Sequence, residues 1–310
     1  MAASRAAGKM PGEEETRQAP GLVVTADGSV TLFNEDAGEL YHNSAGAYTE
    51  ALKNYVEPSC AVDTLQRTGT LSVLDVCFGM GYNSFVLLQH LAESGVTGQV
   101  VIKGIENDPA VHTLAFSHVL EDPRLQEARA LLPATPVPTG AAPQVSSGAA
   151  PQVSSPTGLQ VVLEVVLDDL RHELPKLPEH EEYDIVFHDP FSPRRVPQLW
   201  TADIFRRYHR LLAARRGRVL TYSIAGAVRG GLMEAGFAVW RTTAVGGKYG
   251  GTLAMFPGDQ PPPGCQPGEA GFGERKGGRR SLVPFRDPDF SATKDELLLR
   301  RSSEQADYEI

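Results

Sequence analysis

From residue 71 the apolar positions of the chain fall into two alternating patterns. LSVLDVCF, QVVIKGIE, LQVVLEVVL, YDIVFHD and GRVLTYS are short, nearly continuous apolar runs, as strands covered on both faces require. SFVLLQHLAES, PAVHTLAFSHVL and the segments Ala202 to Leu212 and Ala225 to Glu234 carry helical spacing between or after them. FAVWRTTAV and TLAMF read as closing strands. This alternation predicts an α/β fold, a doubly wound and mostly parallel sheet with helices on both faces and right-handed crossovers. Upstream, LVVTADGSVTLF reads as an N-terminal hairpin around Asp27-Gly28, a dipeptide suited to a tight turn, and a helix around Ala47 to Tyr55 follows.

The pattern lapses in three places. Residues 1–20 are rich in Ala, Gly, Glu and Pro without apolar period, which predicts a disordered N-terminus. Residues 133–158 contain GAAPQVSS twice in tandem, from Gly140 and again from Gly148, and read as a mobile surface insertion within a domain spanning 21–256. Residues 257–281 have the Pro, Gly and charge content of a linker. Beyond it, residues 282–310 read as a segment that docks back on the domain.

Composition narrows the function classes. Among 310 residues, 41% are hydrophobic, and 29 basic against 38 acidic side chains give a net charge of −9. That excludes a generally basic nucleic-acid coat but not a local basic groove. No run approaches the roughly 20 apolar residues of a membrane-spanning helix, so no membrane partner is expected. The start has no secretory apolar core, and Glu13, Glu14 and Glu15 argue against the transit peptide that Arg5 and Lys9 would suggest. Cys60, Cys77 and Cys265 lie far apart, with neither zinc-site nor disulfide spacing, which fits a reducing cytoplasm. Nothing in the pattern sets an oligomeric state.

Three constellations carry chemistry. In VLDVCFGMGYN an apolar strand runs into Asp75, then Gly79 and Gly81, then a helix, the place where open α/β sheets bind cofactors. The G-x-G-x-x-G dinucleotide fingerprint is broken in both registers, by Cys77 and Tyr82 in one and by Ser84 in the other, which disfavours a nicotinamide-dependent dehydrogenase. Acidic-x-x-x-Gly-x-Gly instead resembles the S-adenosylmethionine (SAM) loop of Rossmann-like methyltransferases, with Asp75, Phe78, Gly79, Gly81 and Asn83 as the candidate cofactor-binding set. Glu106, after the next strand, suits a ribose diol, because one carboxylate accepts two hydroxyl hydrogen bonds. Asp168 and Asp169 end a further strand and would face the adenine amine, one of them capping the helix that follows.

The third constellation is YDIVFHDPFSPRRVPQLWT, where a buried strand delivers Asp189 to the sheet edge as the candidate catalytic carboxylate, able to orient an amine and accept its proton. Phe191, Pro193, Pro197 and Trp200 would wall off water and hold a flat substrate. Arg194 and Arg195 in the same loop are candidate RNA phosphate contacts, whereas the arginines at 206, 207, 210, 215, 216 and 218 read as solvated faces. His42, His188 and His209 have no metal-ligand spacing, no Ser-His-Asp grouping is visible, and Cys77 reads as a packing residue. No metal is expected.

These residues resemble a known family, the MnmC-like methyltransferases that form 5-methylaminomethyl-2-thiouridine in tRNA. The resemblance rests on DGSVTLFNEDAGELYHNSAGAYTEA, DVCFGMGYN, HDPFSPRRVPQLWT, TYSIAGAVRGGLMEAGF and VPFRDPDFSATKDELLLRR, in that order. It covers about residues 22–256 and 282–301. It implies a class I, Rossmann-like, SAM-dependent N-methyltransferase acting on the aminomethyl group of a modified wobble uridine, with tRNA as partner and SAM as cofactor. Gly79 and Gly81 would then cradle the methionine end, Glu106 the ribose and Asp169 the adenine, with Asp189 facing the amine beside Phe191 and Pro193. Glu39 and Tyr41 match the N-terminal motif and would line the same cavity. Two departures are visible. Cys77 stands where the family tends to have glycine, and the usual late Gly-x-Gly-x-Lys-Arg-Glu pattern is here VGGKYGGT, keeping Lys248 without its Arg and Glu partners. The competing readings are a SAM-dependent methyltransferase of a small molecule or protein, and a non-catalytic SAM-fold protein.

Overall fold

In the computed structural model, which describes residues 21–132, 157–178, 181–243, 250–268 and 281–307, the chain opens with a small antiparallel sheet. Its strands are β1 (Leu22–Val24), β2 (Val30–Asn34) and β3 (Glu39–Leu40). One helical segment follows, made of α1 (Ala47–Glu50), a π-helical stretch over Ala51–Val56 and α2 (Glu57–Ser59), and then comes α3 (Ala61–Thr68). The alternating part runs β4 (Thr70–Val76), α4 (Tyr82–Glu93), β5 (Gly98–Glu106), α5 (Pro109–Ser117), α6 (Gln126–Leu131), β6 (Leu159–Leu167), α7 (Leu170–Glu173), β7 (Ile185–His188), α8 (Ala202–Ala213), β8 (Arg218–Thr221) and α9 (Gly226–Glu234). β9 (Ala238–Arg241), β10 (Thr252–Met255), β11 (Gln266–Pro267) and α10 (Lys294–Asp307) complete it. The expected N-terminal tail, residues 1–20, and nearly all of the tandem-repeat insertion lie outside the described residues, as does the part of the expected linker from 269 to 280.

The large sheet has the order β11-β9-β10-β8-β7-β4-β5-β6. β8, β7, β4, β5 and β6 are parallel, while β10 runs antiparallel to both β8 and β9. The chain leaves β4 toward β5 on one side and returns to β7 on the other, the switch in strand order at which an open α/β sheet forms a crevice beyond its carboxyl ends. This is a Rossmann-like, doubly wound and mostly parallel architecture, as the alternation of apolar runs predicts.

Both faces are covered because the strand residues alternate in direction. Val73, Ile185 and Phe187 point into one cluster with Phe85, Leu88 and Leu91 of α4, and their strand neighbours Leu74 and Val186 point into the other with Trp200, Phe205, Tyr208 and Leu211. The second cluster also takes Phe285, Ala292 and Leu297, so the C-terminal segment packs against α8. There Ala202 N–H donates to the Phe285 carbonyl at 2.9 Å and Asp287 N–H donates to Asp203 Oδ2 at 2.7 Å. Its backbone crosses α9 so closely that a Cβ on Gly230 would collide with the Leu282 carbonyl oxygen. That contact accounts for a glycine inside a helix, where it costs roughly 1 kcal/mol relative to alanine. Among the described residues, no helix is long and apolar enough to cross a membrane.

The hairpin turn holds the helix that follows. Gly28 supplies the left-handed φ of +83°, and Asp27 accepts Ser29 N–H at 3.0 Å through Oδ1, and Thr49 N–H at 2.9 Å and Thr49 Oγ1 at 2.7 Å through Oδ2. Burial works to raise the Asp27 pKa, but the hydrogen bonds from Ser29 and Thr49 outweigh it and hold the group well below its ordinary 3.8. A carboxyl shifted down stabilises the fold above the ordinary pKa and loses that contribution as pH falls below it. Asp27→Ala is therefore expected to cost about 2–3 kcal/mol at neutral pH, from donors left without an acceptor. The deficit should shrink below pH 3.8; urea unfolding at pH 7 and pH 3 measures both, and equal deficits at the two pH values would show that the charge on Asp27 does not matter.

Candidate active site

The carboxyl ends of β4, β5, β6 and β7, together with Tyr222 just after β8, meet around a cavity of about 1200 Å³. Its wall carries Asp36, Glu39, Glu50, Glu106, Asp108, Asp169 and Asp189 against two cations, Arg195 and Lys294. An interior this acidic favours a positively charged occupant.

At the end of β4 the backbone turns through three left-handed residues, Cys77 at φ 59°, Gly79 at 55° and Gly81 at 77°, and Gly81 caps α4. A Cβ on Gly81 would lie 2.6 Å from the Phe85 ring, so space as well as φ demands glycine there. Cys77 takes the same backbone conformation with a side chain, at a cost of roughly 1–2 kcal/mol. It is the loop residue on the cavity wall, while Gly79 and Gly81 shape the turn behind it. Burial, with Glu106 and Asp189 next in effect, pushes the Cys77 thiol well up, which keeps it neutral and unsuited to nucleophilic attack. Glu106 ties this loop to β5. Its Oε2 accepts Gly79 N–H at 2.7 Å, and its Oε1 accepts Asn107 and Asp108 N–H, each at 2.9 Å. Burial raises its pKa even though those three donors favour the ionised form.

Asp189 follows β7 and is half-buried on the wall. Tyr55 donates its phenol proton to Oδ1 at 2.5 Å and Asn83 donates its amide to Oδ2 at 2.9 Å. Burial pushes its pKa up to about 7, with the nearby Glu50 charge acting the same way and the two hydrogen bonds opposing. The loop beyond is clamped to the N-terminal hairpin. Glu39 accepts Ser192 Oγ at 2.7 Å and Ser192 N–H at 3.2 Å, Arg195 Nε lies 3.5 Å from Glu39 Oε1, and the Tyr41 and Phe191 rings meet edge-on at 4.9 Å.

Several expected contacts are placed elsewhere. Asp75 is fully buried beneath the loop, accepting Ser84 Oγ at 2.6 Å, with Oδ1 lacking a hydrogen-bond partner among the described residues. Phe78 packs against Phe85 and Phe116 in the core, and the Asn83 amide is spent on Asp189. Asp168 faces outward, accepting Asp169 N–H at 2.7 Å beside His172 and Lys176. Asp169 reaches the cavity wall and also caps α7 by accepting Arg171 N–H at 2.7 Å. Trp200 is not a wall, since it is fully buried and donates its Nε1 proton to the Phe191 carbonyl at 2.8 Å, bracing the loop from beneath. Pro193, Pro197 and Arg194 are off the wall, Pro197 buried and Arg194 exposed. Lys248 lies outside the described residues. Among the described residues no cluster of His, Cys, Asp or Glu is arranged to hold a metal ion.

Glu50, Tyr55, Tyr222 and Lys294 belong to this site and were not picked out from the sequence. Tyr222 donates its phenol proton to the Pro190 carbonyl at 3.0 Å, and its N–H donates to the Tyr55 oxygen at 3.2 Å. Glu50, Tyr222 and Lys294 all fall inside the motifs of the resemblance, which was the available signal. Tyr55 has no such signal, because a tyrosine on the apolar face of a helix reads as core.

The family model for S-adenosyl-L-methionine-dependent methyltransferases matches residues 144–257. An uncharacterized protein of Methanocaldococcus jannaschii is 26% identical over 92% of this chain and 72% of its own length. The tRNA 5-methylaminomethyl-2-thiouridine biosynthesis bifunctional protein MnmC of Burkholderia vietnamiensis is 29% identical over 75% of this chain and 34% of its own, so the chain spans about a third of that relative's length. The crystal structure of MnmC2 from Aquifex aeolicus superposes with a TM-score of 0.71 at 28% identity, covering 96% of this chain and 87% of the other.

The buried carboxyls make stability depend on pH. Burial pushes Asp75 up to about 8 and Asp189 up to about 7. A carboxyl shifted up contributes stability below its ordinary value of 3.8 and loses it as pH rises through the folded value. The buried His42 and His188, held down to about 4 and about 3, oppose this only weakly above the ordinary histidine value of 6.5, where the unfolded chain sheds the rest of their protons. The ligand-free protein is therefore expected to lose roughly 2 kcal/mol between pH 6.5 and 8, and Asp75→Asn should flatten the decline. Thermal midpoints across that window test this, and a flat wild-type profile would mean that both carboxyls ionise without cost.

Proposed function

We propose that this MnmC-like, S-adenosyl-L-methionine-dependent methyltransferase methylates the primary amine of an aminomethyl-uridine at the wobble position of tRNA, in the cytoplasm. The observation that carries the reading is the half-buried Asp189, aimed into an acidic cavity from the end of β7 and tied to fixed donors on both oxygens.

The residues present fit the cofactor. The seven carboxylates on the wall suit a ligand bearing a sulfonium and an ammonium, and Glu106 and Asp169 sit at the ends of β5 and β6, where a ribose and an adenine would be held. Bound there, SAM supplies an electrophilic methyl group. The work of the chain is to present the acceptor nitrogen in line with that methyl. Asp189 and Glu50 draw an alkylammonium into the cavity, and Asp189 takes a proton from it so that a nitrogen lone pair is available. With SAM held there, its methyl would pass from the sulfonium sulfur to the nitrogen, giving a methylated amine and a neutral thioether. With a pKa near 7, Asp189 sits where a carboxylate both ionises at neutral pH and accepts a proton readily. Tyr41 and Phe191 close the acceptor side against water. Arg195, on the wall, and the exposed Arg194 beside it are the proposed contacts to RNA phosphates.

Two outcomes follow. Asp189→Asn keeps the shape but removes the base, and should lower turnover by roughly 10²–10⁴ while SAM affinity by calorimetry is retained. Methyl transfer from labelled SAM to tRNA bearing aminomethyl-uridine, followed by nucleoside digestion, measures it. Label in another nucleoside, or transfer only to small amines or proteins, would replace the acceptor. The double change of Arg194 and Arg195 to Ala should weaken tRNA binding and lower the slope of log affinity against log salt by about 1–2. An unchanged slope would take both residues out of the RNA contact.

A further inference from the structure

The Asp189 carboxylate is held by a residue 134 positions away in sequence, on a helix wound in an unusual way. Ala51–Val56 form a π-helix, in which residues five apart share a face; at 3.6 residues per turn they would point about 140° apart. The π winding thus brings Glu50 and Tyr55 to the same side, Glu50 onto the cavity wall and Tyr55 onto Asp189. Tyr55 is fully buried, its ring set edge-on to Phe187 at 5.6 Å, and its oxygen accepts the Tyr222 N–H. With that acceptor position filled, the phenol proton points at Asp189.

We propose that Tyr55 is a positioning residue for methyl transfer, a fixed donor that holds the Asp189 carboxylate in its reactive orientation and favours its proton-accepting form. The proposal rests on the reading of Asp189 given above. Tyr55 donates to Oδ1 and Asn83 to Oδ2, so each oxygen keeps one acceptor site for the substrate amine. The Tyr55 phenol itself stays protonated, since burial and then the adjacent Asp189 charge push its pKa well above 10. The other groups acting on this neighbourhood are Glu50 from the same helical segment, Asp75 from β4, Cys77 from the glycine loop and Tyr222 after β8. Burial holds Asp75, Cys77 and Tyr222 towards their neutral forms and Glu50 is an acid, so none of these groups offsets the loss of the Tyr55 hydrogen bond.

Tyr55→Phe keeps the ring and removes the donor. With one hydrogen bond to the ionised form gone, the Asp189 pKa should rise by roughly one to two units, and the acid limb of the kcat–pH profile should move up with it. At pH 7 kcat should fall about tenfold or more, with the Kd values for SAM and tRNA unchanged. The Asp189 titration is followed by NMR of ¹³C-carboxyl-labelled aspartate in the full chain, its signal identified by its loss in Asp189→Asn. Fluorotyrosine placed at position 55 is a stronger donor and should shift the same titration down, which decides the matter even if the phenylalanine variant fails to fold. An Asp189 titration that does not move in either variant overturns the proposal, as does a fall in kcat without displacement of the pH profile. If wild-type protein transfers no methyl group to the tRNA, the acceptor reading fails, while the NMR titration still tests the hold of Tyr55 on Asp189.

Discussion

Because β4 hydrogen-bonds to β5 along one edge and to β7 along the other, the segments leaving its two neighbours must pass on opposite faces of the sheet, and a crevice opens at its carboxyl end. Everything in the site depends on that register. Pairing Asp75 with Gly104 on one side and Phe187 on the other brings the ends of three strands level, so that Cys77, Glu106 and Asp189 reach the same cavity. A slip of one residue in any of these strands would turn the core side chains outward and carry the carboxylates to the wrong face.

On this platform the acidic side chains divide into two kinds. Glu106 and Asp169 spend part of their hydrogen-bonding capacity on backbone N–H groups, fixing the loop and the helix start beside them, and still present an edge to the cavity. Asp75 is buried outright and serves as a short post under the glycine turn. Asp189 differs in that its partners are side chains, from α4 and from the segment after β3, so its orientation depends on elements that can be altered without touching the sheet.

The sheet was legible in the sequence because strands buried on both faces leave continuous apolar runs, and LSVLDVCF, QVVIKGIE and YDIVFHD became β4, β5 and β7. The Asp27-Gly28 turn and the alternation of helices and strands were equally plain. Partners were not. Tyr55 meets Asp189 across 134 residues, Asn83 meets it across 106, and Glu39 meets Ser192 across 153, distances over which local spacing carries no information. Asp75, Phe78 and Asn83 sit within a recognisable loop, but the sequence pattern does not say which of its side chains look into the cavity and which look beneath it. The π-helical winding was hidden for a similar reason, since a few apolar positions fit 3.6 residues per turn as readily as a wider coil.

The left-handed backbone at Cys77 bears on how such proteins are found. A motif pattern that insists on glycine at this position scores what an amino acid is permitted to do, whereas the loop needs only that the residue be held at φ 59°. Hydrogen bonds from the two residues that follow it, Phe78 N–H to the Ile105 carbonyl and Gly79 N–H to Glu106, anchor the turn and offset a local penalty. The shape is therefore shared out among neighbours instead of residing in one residue. A glycine-only search would pass over this chain while its fold remains that of its relatives.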